Sequence, residues 1–366
     1  MIIQPIPLIS FLHRTVAFLI SLLFLASPVS ALDIRILLTA EAPEISLQGN
    51  FDLLAGNTTI KKISNEKVSI MDLKKSRSDQ AAFEFQNQGG TFSIGSHQYK
   101  GHLRILFTDK ASLVNIINIE DYIIGVLPNE ISPAWPLEVI KAQAVAARTF
   151  AEYFIRKSQS NPYDLTDNTF SQVYKGIMPE KESFCKAMEE TKDEILVFQD
   201  EPIQAFFHST CGGHTEDALK VWGKHLAYLT GVPCSYCRDS IHYSWEARFS
   251  EAELLDKLKG YGLERIRNIV PEKMSSSGRW VSVKIMGLRK SIILPGNNFR
   301  ILLGIEKLKS TKFRITKERD GFLIKGKGWG HGAGLCQWGA KTMAEKGYKY
   351  YQILRYYYRG TKIKKN

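Results

Sequence analysis

Between residues 136 and 157, Leu137, Ile140, Ala144, Ala147, Ala151 and Phe154 recur at steps of three and four. That period places their side chains on one stripe of a helix, with Pro136 suited to its first position, and predicts a helix buried against the rest of the fold. The earlier chain has another rhythm. Short alternating or apolar runs at 34–38, 67–71, 82–85 and 103–107 are separated by turn clusters such as Gly89-Gly90 and Gly95-Ser96, so residues 32–110 read as β-rich. A further apolar run occupies 113–119. Beyond the long helix, 183–191 predicts a short helix, 194–198 and 203–207 strands, 250–259 a helix, and 281–285 and 322–324 strands. A glycine-rich segment at 326–340, a helical stretch at 342–345 and the aromatic 350–358 close the chain. The expected class is α+β, with a β-rich N-terminal region ahead of a mixed core over 111–366.

The first thirty residues carry a different signal. His13 and Arg14 precede an apolar run at 16–26, then Ser27-Pro28-Val29-Ser30-Ala31, whose small residues resemble an export cleavage site. That order predicts a secretory signal peptide over 1–31, and the run is shorter than the roughly 18 residues of a spanning helix. The expectation is an exported protein that meets the membrane only during export and works in the periplasm or cell-wall compartment.

The 366 residues are 44% hydrophobic and 23% charged, which excludes a disordered or collagenous chain. The net charge is +12; losing 1–31 would remove one Arg and no acid and leave +11. Such a charge favours an anionic polymer or surface. No zinc-finger, basic-zipper or RNA-binding aromatic signature accompanies it, so nucleic acid is not an expected partner.

Three segments carry candidate chemistry. Glu130 lies between apolar stretches, with Pro128, Pro133 and Pro136 around it, and reads as a carboxyl in a stiff loop ahead of the helix. Apolar surroundings disfavour the charged form, raise the pKa and make a proton donor near neutral pH. Glu138, its neighbour, reads as an acid complementing the dipole of a first helical turn. Residues 326–340 hold six glycines among fifteen positions, which lets a ligand approach the backbone, while Trp329, His331, Gln337 and Trp338 offer stacking and hydrogen bonding. The segment matches neither a phosphate loop nor a dinucleotide fingerprint. Finally, five cysteines occur at 185, 211, 234, 237 and 336. Cys234 and Cys237 have a spacing that lets two thiolates share one ion, and Cys211 with His208 or His214 would complete a Cys3His zinc site. Disulfides are the alternative in an exported chain, although an odd count strands one thiol. Cys336 with His331 as a nucleophilic pair lacks an orienting Asn or Asp.

The blocks Ile119-Glu120-Asp121-Tyr122-Ile123-Ile124-Gly125-Val126, Lys141 through Phe150 (KAQAVAARTF), Gln172-Val173-Tyr174-Lys175-Gly176, His208 through Thr215, and Gly328-Trp329-Gly330-His331-Gly332-Ala333-Gly334 through Gln337-Trp338-Gly339-Ala340 resemble, in order, the core of the stage II sporulation protein D (SpoIID) and LytB amidase-enhancer family. The resemblance runs over about 112–361. It implies an exported peptidoglycan lytic transglycosylase that cuts the MurNAc-GlcNAc link of strands stripped of stem peptides. It puts the catalytic acid on Glu130, with Arg148, Gln172, Tyr174, Trp329, His331, Gln337 and Trp338 toward the glycan. One acid suffices there, because the sugar's own 6-hydroxyl attacks and leaves a 1,6-anhydro end. The resemblance also supports structural zinc on His208 and Cys211, with Cys234 and Cys237, and leaves a non-catalytic amidase enhancer with an amidase partner as the alternative. The chain departs from the family at Ile131-Ser132-Pro133, where many relatives have Met-Pro, and at Cys336, which replaces a small hydroxyl.

Overall fold

The computed structural model describes residues 32–365 apart from 41, 77–80 and 109, so the expected signal peptide lies outside the described residues. The class is α+β. Alternating burial along Asp33–Leu38, Asn50–Ala55, Ala82–Asn87 and His102–Phe107 sets one apolar face of each strand inward, as a half-buried sheet requires. These strands, with Leu165–Thr166, Ala111–Asn118 and Thr58–Ser64, form a seven-stranded sheet in the order 165–166, 33–38, 111–118, 102–107, 82–87, 50–55, 58–64. A second sheet orders Lys67–Ser69, Glu44–Gln48, Thr91–Ile94 and His97–Tyr99. The boundary expected at 110/111 falls inside a hairpin, where Ala111 pairs with Phe107 and Ile116 with His102. The β-rich region and the core thus share one sheet and one apolar cluster, which runs from Ile34 through Ala147 to Tyr358.

The sheet delivers the chain into two helices. Ile119–Glu130 is capped by the Asn118 side chain, which accepts from the Glu120 N–H at 2.9 Å. Pro128 lies inside this helix, and Asn129 Nδ2 donates back to the Gly125 carbonyl at 2.9 Å. The predicted helix is Leu137–Lys157, with Pro136 as its N-cap rather than its first residue. Its burial exceeds the single predicted stripe: from Val139 to Glu152 every residue is buried, including Lys141, Gln143, Arg148, Thr149 and Glu152. A helix packed on all sides belongs to a core, and its polar residues must find partners there.

Sequence periodicity does not reveal a second core. Residues 244–327 form two small antiparallel sheets, one of Ser244–Ser250, Gly321–Lys327 and Phe313–Glu318, the other of Ile266–Met274, Trp280–Gly287 and Ser291–Pro295. They enclose an apolar cluster of their own around Phe249, Trp280, Val283, Phe299, Phe313 and Ile324. Ser244 pairs with Lys327, so the chain leaves and re-enters at adjacent points of one sheet. An inserted subdomain with its ends together interrupts the fold between the Cys234/Cys237 pair and the glycine-rich segment.

Candidate active site and cysteine cluster

Glu130 is the last residue of the helix Ile119–Glu130, not part of a loop. Its Oε1 accepts from the Val173 N–H at 3.3 Å and its Oε2 from Gln337 Nε2 at 3.4 Å. Both bonds are long and therefore weak. Burial outweighs them and lifts the carboxyl from its usual range to about 7. Gln337 Nε2 also reaches Gln143 Oε1 at 3.4 Å, and Gln143 Nε2 is buried without a partner. Two distant segments thus converge on one carboxyl, a third meets it only through Gln337, and the groups bonded to it are amides. Trp135, in the turn after Glu130, meets Trp338 edge to face with ring centroids 5.4 Å apart, and Lys341 lies over Trp338. Glu138 accepts from Lys141 and from the Tyr350 N–H, so it ties the long helix to the C-terminal one, Tyr350–Tyr357.

Four residues expected to face the glycan are buried, namely Gln337 beside Glu130 and three others held elsewhere in the interior. Arg148 is 2% exposed and forks onto Glu120, with Nε–Oε1 2.6 Å and Nη2–Oε2 2.8 Å, while Nη1 donates to the Glu194 carbonyl. Gln172 is buried between the Tyr122 hydroxyl, which donates to its Oε1, and the Ala147 carbonyl. Tyr174 is buried with its hydroxyl donating to Asn115 Oδ1 at 2.9 Å. Polar side chains of this kind are satisfied core groups, and their blocks hold the Val173 N–H in place. Trp329 and His331 are partly exposed. His331 faces Trp222 at 4.9 Å and lines a cleft of about 620 Å³ with Trp222, Trp280 and Lys220. Burial pushes its imidazole down to about 3, so it is neutral, with Nδ1 accepting from the Ala333 N–H. Lys309 lies over Trp329, whose backbone pairs with Thr210.

The cysteines form the second centre. The Sγ atoms of Cys211, Cys234, Cys237 and Cys336 all lie within 4.8 Å of one another, all four residues are buried, and all are free thiols. Tetrahedral zinc with Zn–S near 2.3 Å needs sulfurs about 3.8 Å apart, so this donor set fits such an ion. Cys211 and Cys237 Sγ are 3.4 Å apart, and hydrogen bonding to Cys211 and the other thiols pulls Cys237 far below its usual range, toward the thiolate a metal binds. The Cys211 N–H donates to Cys336 Sγ, and the Tyr357 hydroxyl lies 3.3 Å from Cys234 Sγ. Gly339 is required here, since a Cβ would sit 2.8 Å from Cys234 Sγ and 2.1 Å from the Tyr357 oxygen. The fourth sulfur is Cys336, which parallel pairing of Phe207–His208 with Leu335–Cys336 brings to the site. His208 is not in this set: its Nδ1 meets the Ala333 carbonyl at 3.1 Å and its Nε2 is buried without a partner. His214, the other candidate, bonds the Thr215 carbonyl. Cys185 is exposed on the helix Glu182–Glu190.

This architecture has known relatives. A family model described as stage II sporulation protein matches residues 108–198, and one described as domain of unknown function (DUF8618) matches 235–334, which spans the whole inserted subdomain. The stage II sporulation protein D of Bacillus subtilis is 32% identical over 68% of this chain and 75% of its own length. An uncharacterized protein of Brachyspira hyodysenteriae is 39% identical over 76% of this chain and 75% of its own length. The amidase enhancer of Bacillus subtilis is 28% identical over 87% of this chain, which spans 52% of that protein. The chain belongs to the SpoIID/LytB family.

Proposed function

We propose that the protein acts on the cell wall outside the cytoplasm, as a lytic transglycosylase that cuts peptidoglycan glycan strands. The observation that carries this reading is Glu130, a carboxyl lifted to about 7 and bonded only to amides. A group half protonated at neutral pH serves one turnover in both roles. As an acid it gives its proton to the oxygen leaving C1. As a carboxylate, steadied by Val173 N–H and Gln337, it takes the proton of the sugar's 6-hydroxyl as that oxygen closes on C1. The bond to the leaving sugar breaks, the 1,6-anhydro bond forms, and no water is consumed. The attacking group is part of the substrate, so a second carboxylate is not needed. Trp135 and Trp338 beside the acid provide an aromatic wall for the sugar. Among the described residues no helix is long and apolar enough to cross a membrane.

Cys211, Cys234, Cys237 and Cys336 hold a structural zinc ion in this reading, and the ion would supply a crosslink between the three segments that carry them. The test of function is mass spectrometry of peptide-stripped glycan strands after incubation with the protein or with Glu130→Gln. New 1,6-anhydro ends with the first and none with the second support the reading. The amidase enhancer relative favours one other reading, a glycan binder that activates an amidase. An amidase accelerated equally by both forms, with no anhydro ends, selects it.

A further inference from the structure

Arg279, from the inserted subdomain, is 1% exposed. Its Nη2 donates to the carbonyl of Cys211 at 2.7 Å, while Nε and Nη1 are buried with no hydrogen-bond partner. A buried guanidinium with unmet donors is costly unless an opposite charge lies beside it. The nearby carboxylate, Glu216, is already occupied, accepting from the Ser275 and Ser277 hydroxyls and from the Asp217 N–H. The carbonyl that Arg279 does bond belongs to Cys211, one of the four sulfur-bearing residues whose Sγ atoms lie within 4.8 Å of one another. Four thiolates around one divalent ion leave a doubly negative centre, which a single guanidinium bonded to a ligand's own backbone is placed to offset. The glycine-rich segment makes room for it: at Gly332 (φ +89°) a Cβ would lie 2.4 Å from Arg279 Nε and Nη2.

We infer that Arg279 is the outer-sphere charge partner of a metal ion held by Cys211, Cys234, Cys237 and Cys336, so that the inserted subdomain completes the metal centre. The inference rests on the metal reading above. It gives the insertion a structural purpose, because its own apolar core makes it a separate packing unit and Arg279 ties that unit to the cysteine cluster. Ser275 fixes the tie, accepting from the Arg279 N–H at 3.3 Å while its own N–H donates to the Arg279 carbonyl at 2.9 Å. Metal and insertion then hold each other.

The test is zinc release from the zinc-loaded full chain into a colorimetric chelator, with circular dichroism confirming that each variant is folded. Arg279→Gln is expected to lose zinc about 10- to 100-fold faster. Arg279→Lys, which keeps the charge and is the safer variant to fold, falls between. Arg300→Gln is the control, because Arg300 is buried in the same subdomain but bonds the Leu308 and Lys309 carbonyls. It should release zinc at the unsubstituted rate. Stripping zinc from the unsubstituted chain should also expose sites within 244–327 to protease. Folded Arg279 variants that release zinc at the unsubstituted rate overturn the inference and leave the metal reading intact. An unsubstituted chain that retains no zinc overturns both.

Discussion

Gln337 reaches the Glu130 carboxyl at 3.4 Å and is the residue directly after Cys336, whose thiol belongs to the buried sulfur cluster. Cys336 is also the N-cap of the helix Gln337–Glu345, so whatever fixes that sulfur fixes the start of the helix and the amide aimed at the acid. The sulfur cluster and the catalytic candidate are therefore mechanically adjacent, although their residues are scattered from 130 to 337.

On the proposed lytic reading, the raised pKa of Glu130 sets the pH dependence of the reaction. Protonation is needed at the first step, so the rate on peptide-stripped strands should hold below about pH 7 and fall about tenfold per unit above it. Below about pH 7, Glu130→Gln should lower the rate by at least about 10², the scale of a lost general acid, and the gap should narrow above that pH as the parent loses its proton. A profile that stays flat to about pH 9 would separate Glu130 from the proton transfer.

The same shift has a signature in stability that needs no substrate. The folded carboxyl binds its proton more tightly than the unfolded one, so its contribution favours folding below about 4.5 and is lost as pH rises through about 7. Replacing Glu130 with Gln removes that loss. The variant should match the parent near pH 4.5 and exceed it at about pH 8 by roughly 1–3 kcal/mol in denaturant unfolding. Equal pH dependence in the two proteins would count against a buried, proton-holding carboxyl.

How much of this is legible in the sequence depends on the range of the interaction. The long helix is readable because its stripe is local, and the acid because apolar neighbours flank it. Local pattern cannot show that Glu130 ends a helix across Pro128, nor that Val173 and Gln337 complete its surroundings, since the contacts span 43 and 207 residues. Arg148, Gln172 and Tyr174 lie in family blocks, yet a polar residue in a helix reads alike whether it meets a ligand or a buried carboxylate. The inserted subdomain escapes for a related reason: its strands look like any others, and only the pairing of Ser244 with Lys327 separates them.

Metal content distinguishes the two ligand sets for the cysteine centre. The sequence spacing allows His208 or His214 with three cysteines and the family resemblance points to His208; the geometry puts Cys336 in that place. Cys336→Ser should reduce bound zinc well below one equivalent in metal analysis, whereas His208→Ala should keep it. The reverse result would restore His208 to the site. Gly339→Ala, which drives a methyl toward Cys234 Sγ and Tyr357, should behave like Cys336→Ser.

Arg148 distinguishes a structural from a binding role. Its fork to Glu120 and its bond to the Glu194 carbonyl join the long helix to the helix Ile119–Glu130 and to the strand Glu194–Phe198. Removing the guanidinium leaves the Glu120 carboxylate without its partner and the carbonyl without its donor. Loss of one member of such a pair costs about 3–5 kcal/mol, toward the lower end here because Glu120 keeps partial access to water. Arg148→Met should therefore unfold at clearly lower denaturant, with Glu120→Gln milder because an amide can still accept from the guanidinium. Binding of peptide-stripped strands by the folded fraction should be unchanged. A variant of normal stability with weakened glycan binding would instead place Arg148 at the glycan surface, which would require the long helix to open in a way the packing around it opposes.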